Sequence, residues 1–166
     1  VTPRPQVGNP KPRLFRIAAA DGVINRMGFN NEGHEAAFRR LKGAHIGAIL
    51  GVNIGANKDS EDFVADYVAG VTRFAEVADY LTVNISSPNT PGLRNLQADE
   101  ALERLLGAVL KARSKASVRV PVLLKIAPDL DEKALDGIAR VVLATDPDGL
   151  IVSNTTISRD AVARSE

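Results

Sequence analysis

The sequence predicts an α/β fold built on a parallel sheet, either an open doubly wound sheet or part of a (β/α)8 barrel. Three observations carry that expectation. From Ile46 onward, apolar runs of strand length alternate with helical patterns, strand then helix four times over, which implies right-handed βαβ units. The strand-like runs are apolar throughout, as strands covered on both faces must be. Aromatic residues are few (no Trp, two Tyr and five Phe in 166 residues), so the core has to come from Val, Leu, Ile and Ala, which suits strands under helices better than a sandwich. No Gly-x-Gly-x-x-Gly follows any strand, which weakens a dinucleotide-binding variant.

Taken in order, residues 1–12 form a proline-rich extended arm. Residues 13–17 and 22–25 have the length of a small two-stranded ribbon with 18–21 as its turn, followed by a polar, glycine-containing loop over 25–31. A short helix is expected over 35–42, with Ala36, Ala37, Phe38 and Leu41 on one face and Arg39 and Arg40 outside. Residues 46–54 read as a buried strand. Ser60 is the expected N-cap of the next helix, with Glu61 and Asp62 suited to its dipole. In that helix Phe63, Val64, Tyr67, Val68, Val71 and Phe74 recur at helical spacing. Residues 80–85 form a second buried strand. The loop after it, Ser86-Ser-Pro-Asn-Thr-Pro-Gly92, has small hydroxyls and amides and two prolines that bar a helix. A helix over 99–115 follows, then a strand over 120–126, a helix capped by Asp129 or Asp131, and a last strand over 148–154. The whole reads as one domain.

Composition bounds the function. A net charge of +1 makes no electrostatic case for nucleic acid or an anionic surface. The absence of Cys excludes disulfides, thiolate metal sites and a cysteine base. His34 and His45 stand outside any ligand-like cluster, so no metal site is expected. No run is long enough to span a bilayer.

The polar residues of interest share a position. Asn53, Asn84, Lys125 and the pair Ser153-Asn154 each lie at or near the C-terminal end of an apolar strand, and in a (β/α)8 barrel those ends converge on the active-site face. One Asn at a strand end is ordinarily a turn residue; three strands ending this way, with a Lys on the fourth, make a coherent set. Amide side chains both donate and accept, which matches a planar ligand with alternating C=O and N–H groups, a pyrimidine or a flavin ring. Lys125 is either a side chain that snorkels to solvent or a fixed cation beside an electron-accepting ring. Ser87 is a weak base unless neighbours such as Asn89, Thr90 or ordered water relieve the charge change.

Six motifs in order then resemble one family: Val1-Thr-Pro-Arg-Pro-Gln6, Ile24-Asn-Arg-Met-Gly-Phe-Asn-Asn31, Gly51-Val-Asn-Ile-Gly55, Asn84-Ile-Ser-Ser-Pro-Asn-Thr-Pro-Gly-Leu-Arg94, Leu124-Lys-Ile-Ala-Pro-Asp-Leu130 and Ser153-Asn-Thr-Thr156. They are similar to the flavoprotein dihydroorotate dehydrogenases, and to the class 2, quinone-reducing branch in particular, because class 1 members place a cysteine base where this chain has Ser87. The resemblance implies an FMN-binding (β/α)8 barrel that oxidises dihydroorotate to orotate in pyrimidine (UMP) biosynthesis, with a quinone reoxidising the flavin. It implies Ser87 as the base; Asn53, Asn84, Lys125 and Ser153 as FMN-binding residues; and Asn25, Arg26, Met27, Gly28, Phe29, Asn84, Asn89, Asn154 and Thr155 around the substrate.

A complete barrel needs roughly 250 residues, so the resemblance makes this chain the central part of one. The quinone-entry helices expected before it and the phosphate-binding strands expected after it are absent. Family members associate peripherally with the cytoplasmic side of the inner membrane through that first region and are expected to be monomers. Two alternatives accompany this reading: a truncated, non-catalytic barrel segment without flavin, and another FMN-dependent pyrimidine oxidoreductase, against which Ser87 argues.

Overall fold

The computed structural model of the chain describes residues 1–44, 46–86 and 97–159. An antiparallel ribbon of β1 (Leu14–Ile17) and β2 (Gly22–Asn25) is followed by α1 (Gly33–Leu41). Then come β3 (Gly51–Ile54), α2 (Phe63–Phe74), β4 (Tyr80–Asn84), α3 (Asp99–Arg113), β5 (Val122–Lys125), α4 (Glu132–Thr145) and β6 (Gly149–Ile151). The four later strands are parallel and lie in sequence order, β3-β4-β5-β6. Each helix packs on the next, α1 on α2, α2 on α3 and α3 on α4, so the helices form a single layer. A doubly wound sheet requires a reversal of strand order and helices on both faces. Neither is present among the described residues, and the architecture is that of a partial (β/α)8 barrel.

Strand register explains both faces of the sheet. Val52 pairs with Leu81 and Leu81 with Val122; Ile54 pairs with Val83 and Val83 with Leu124. These six side chains point toward the helices and are buried against Tyr67, Val71 and Phe74 of α2, Leu102, Leu105, Leu106 and Val109 of α3, and Ile138 and Val141 of α4. The helical residues recur every three or four positions, one apolar stripe per helix. At Gly70 the backbone of α2 comes so close to β3 that a Cβ would fall 2.3 Å from an Ile54 methyl, so only glycine fits. The alternate positions, Asn53, Thr82, Asn84, Leu123 and Lys125, face the other way.

Three local expectations are revised and one open alternative is settled. Strand β3 begins at Gly51, not Ile46. Leu50 N donates to Asp79 Oδ2 (2.7 Å) and Asp79 N to Leu50 O (2.8 Å), which closes the ladder there; residues before Leu50 have no strand to pair with among the described residues, and Ile49 is 81% exposed. Asp62, not Ser60, caps α2 by accepting from Ala65 N (3.1 Å), while Ser60 N closes a turn onto Asn57 O. Asp131 caps α4 by accepting from Ala134 N (2.8 Å), which leaves Asp129 for another task. The fourth strand–helix unit consists of β6 alone among the described residues.

His34, in the first turn of α1, is 7% exposed, stacks edge-on against Phe74 at 5.2 Å, and has no hydrogen-bond partner for Nε2 among the described residues. Burial first, then the charges of the N-terminal ammonium and Arg73, lower its pKa to about 4. The unfolded chain takes up this proton near the ordinary value of about 6.5, and the folded chain resists it down to about 4. Stability from the neutral imidazole is therefore complete above pH ~6.5 and is lost as pH falls toward 4, by about 3 kcal/mol in all. Urea midpoints measured across that window should fall steeply, and a His34→Phe variant should show a flatter profile; an unchanged slope would contradict the assignment.

Candidate active site at the strand ends

The face opposite the helices is polar where the strands end. Asn84 and Lys125 are partners in register on adjacent strands, so their backbones lie about 4.8 Å apart. Asn53 lies two register positions back on the same face, opposite Thr82, and Ile151 flanks Lys125 on the other side. Asn84 is 5% exposed, and its backbone carbonyl accepts from the buried Tyr67 hydroxyl (2.6 Å), which ties the strand end to α2. Burial above all, with the nearby Asp66 charge, raises the Tyr67 pKa beyond the usual range and keeps the phenol neutral.

The Asn84 side chain ties the neighbouring strand ends together. Its Oδ1 accepts from Ser86 Oγ (2.7 Å) and Ser86 N (3.2 Å). Ser86 Oγ in turn accepts from Asn154 Nδ2 (2.9 Å), while Asn154 N donates to Ile126 O (3.1 Å) and Asn154 Oδ1 accepts from Thr155 N (2.8 Å). Ser153 Oγ donates to the carbonyl of Asn154 (3.1 Å), so the ends of β4, β5 and β6 are joined by one chain of amides and hydroxyls. Asp129 reaches across from the β5–α4 loop to accept from the Thr156 hydroxyl and from Ile157 N (3.2 Å). Thr155 and Asn25 meet across a small cavity of about 60 Å³ between β2 and the segment after β6.

Among the described residues, nothing takes the Asn84 amide N–H₂ group, the Asn53 side chain or the Lys125 ammonium. One face thus presents two amides and a cation with unused donors, a set suited to a planar ring bearing carbonyl and imine acceptors. A larger hollow of about 580 Å³ lies on the helical outside between α2 and α3. Solvated side chains such as Lys111, Lys115 and Glu76 line it, far from the strand ends.

Of the residues expected from sequence, Asn53, Asn84, Lys125, Ser153, Asn154 and Thr155 are gathered at the strand ends. Asn25 ends β2, and Arg26, Met27, Gly28 and Phe29 form the loop after it, which is held at the end of β3 by the Phe29 ring. A Cβ on Gly55 would fall 2.4 Å from that ring, so the glycine makes room for it, and Phe29 itself sits at φ 57°. Ser87 and Asn89 lie outside the described residues. Sequence reading missed Ser86, Asp129, Gln6 and Asn57. Ser86, Asp129 and Gln6 stood inside recognised motifs, but the bonds of Gln6 and Asn57 span distances that no local pattern reports.

The family model for dihydroorotate dehydrogenase matches residues 1–166. The chain belongs to the dihydroorotate dehydrogenase family. The match to quinone-type members holds as well: a protein of Rhizobium rhizogenes named "Dihydroorotate dehydrogenase (quinone)" is 64% identical over 98% of this chain and 46% of its own length. A protein of the same name from Agrobacterium fabrum is 62% identical with the same coverage. Crystal structures of DHODH from Eimeria tenella superpose with TM-scores of 0.93 (ligand-free, 41% identity) and 0.92 (in complex with ferulenol, 40% identity). They cover all of this chain and 53% and 51% of theirs. The chain spans about half the length of the dihydroorotate dehydrogenases it matches. Among the described residues no helix is long and apolar enough to cross a membrane.

Proposed function

We propose that this chain is the central segment of a quinone-reducing dihydroorotate dehydrogenase that converts dihydroorotate to orotate in pyrimidine biosynthesis. The observation that carries the proposal is the row Asn53, Asn84 and Lys125 on one sheet face, with donors that no described residue takes, in a chain of this family. That donor set fits FMN, which when bound supplies the hydride-accepting ring. Asn53, Asn84, Lys125 and Ser153 would hold it, and the Lys125 cation would stabilise negative charge arriving on the ring. Asn25 to Phe29 with Asn84, Asn89, Asn154 and Thr155 orient the pyrimidine, and Ser87 accepts the C5 proton of dihydroorotate. A quinone is the final electron acceptor. Contact with the inner membrane is made through a region other than this chain, and the whole protein acts as a monomer.

The test is the visible spectrum of the purified chain with added FMN, before and after anaerobic dihydroorotate. A bound chromophore that bleaches is expected, and Lys125→Ala should weaken FMN binding or slow the bleaching at least about tenfold, roughly the effect of losing one charge-assisted contact. Unaltered flavin chemistry in that variant would return Lys125 to a solvated side chain. One observation favours a second reading, a segment of the fold without turnover: β6 pairs only with β5 among the described residues, so its outer edge is open. A spectrum of free, unreduced FMN would establish that reading for the isolated chain.

A further inference from the structure

One side chain remote in sequence, Gln6, links the loop over residues 25–29 to the loop after β3, beside the Phe29 ring packed on Gly55 and the Asn9 bonds to Arg26 O (2.9 Å) and Met27 O (3.1 Å). Gln6 Nε2 donates to the carbonyls of Gly28 (3.0 Å) and Phe29 (3.3 Å). Its Oε1 accepts from Lys58 N (2.8 Å) and Asn57 Nδ2 (3.3 Å), so all four hydrogen-bonding positions of the amide are filled. Asn57 is only 2% exposed and is fixed in turn. Its N–H donates to Asp66 Oδ2 on α2 (2.9 Å), its Oδ1 accepts from Arg4 N (2.9 Å), and its Nδ2 also reaches Arg4 O (3.0 Å) and Thr2 Oγ1 (3.2 Å). A continuous path therefore runs from α2 through Asn57 and Gln6 to the loop carbonyls.

We infer that Gln6 is a positioning residue: its two amide donors, not its acceptor, set where the 25–29 loop stands relative to the end of β3. The acceptor side only secures the arm, which Asn57 and the Gln6–Asn31 backbone pair already hold (2.8 and 2.9 Å). The donor side is the loop's side-chain link to that arm at Gly28 and Phe29. This rests on the proposed function for its consequence, since the loop is there assigned to the pyrimidine and β3 to the flavin. A displaced loop would cost substrate affinity and leave cofactor affinity in place.

Gln6→Glu separates the two sides. The carboxylate keeps both acceptances and removes both donations, placing an anion against two carbonyls; Gln6→Ala removes everything. Hydrogen exchange on the ligand-free chain reads the loop directly. Residues 25–31 should exchange at least tenfold faster in both variants, with β4 and α3 unchanged. With FMN saturating, orotate should bind at least tenfold more weakly to Gln6→Glu while FMN affinity stays within twofold of the parent. Loop exchange in Gln6→Glu equal to the parent's overturns the inference. So does acceleration spread over β4 and α3 with a parallel loss of FMN and orotate, which would mark a role in stability alone. If the unmodified chain takes no orotate, the functional proposal fails, while the exchange comparison still decides the positioning role.

Discussion

Ser87→Ala should slow the reduction of bound FMN by dihydroorotate by about 100- to 10,000-fold, the range associated with losing a positioned proton acceptor. In the proposed reaction the C5–H of dihydroorotate loses its proton as hydride leaves C6, and a methyl side chain offers no place for it. FMN affinity should change little, because the residues proposed to hold it, Asn53, Asn84, Lys125 and Ser153, are untouched. The neighbouring Ser86 cannot substitute, since its hydroxyl donates to Asn84 Oδ1 and accepts from Asn154 Nδ2. Anaerobic stopped-flow following flavin absorbance, with FMN affinity measured in parallel, makes the comparison. Near-normal reduction in the alanine variant would remove Ser87 from the mechanism, and loss of both FMN and reduction would mark it as structural.

The largest loss of stability is expected at the opposite end of the sheet, from Asp148→Ala. Asp148 Oδ2 accepts from Arg113 at the end of α3 and from Val122 N at the start of β5 (2.8 Å), and Oδ1 accepts from Arg119 (2.8 Å). Asp148 N returns a bond to Val122 O (3.0 Å). Burial raises the pKa of this carboxyl, but the Val122 N–H and the two guanidiniums outweigh burial and hold it below the usual range. The stability it contributes is therefore present above about pH 4 and is lost as the pH falls through its lower folded value. Arg113 is 13% exposed, so deleting the carboxylate strands a largely desolvated cation. The cost should approach the roughly 3–5 kcal/mol seen for broken buried pairs, reduced to about 2–3 by residual solvent access. Urea unfolding measures it, and Asp148→Asn, which keeps an acceptor for Val122, should lose less. Flavin and substrate affinities of the folded fraction should not move, because this cluster lies at the strand starts and the proposed chemistry at the strand ends.

Helices α2, α3 and α4 were legible because each carries one apolar stripe, and that stripe is what the sheet buries. The strand ends were legible for a related reason: Asn53, Asn84 and Lys125 interrupt apolar runs, and an interruption at a strand terminus has few structural explanations. Residues 46–50 show the limit of such reading. They are as apolar as a buried strand, yet pairing depends on where β4 begins, and Asp79 ends it. Capping was ambiguous where several acidic and hydroxyl residues stood in a row, and side-chain geometry chose Asp62 and Asp131. The links from Gln6 and Asn57 were invisible because they join residues more than fifty positions apart or through a bend of the arm, and composition carries no trace of them.

The order of the strands also has a kinetic meaning. Because β3, β4, β5 and β6 each pair with the next in sequence, every step of sheet growth closes one helix-containing crossover, and the entropy of closure is met one crossover at a time. The arm is different: its bonds from Thr2, Arg4 and Gln6 to the loop after β3 span 51 to 55 residues. The sheet bearing the amides proposed to face the cofactor is thus assembled crossover by crossover, and the arm with the proposed substrate loop is joined by the longest closures. Folding should deliver the face proposed for flavin before the loop proposed for the pyrimidine, with Gln6 and Asn57 forming the latch between the two stages.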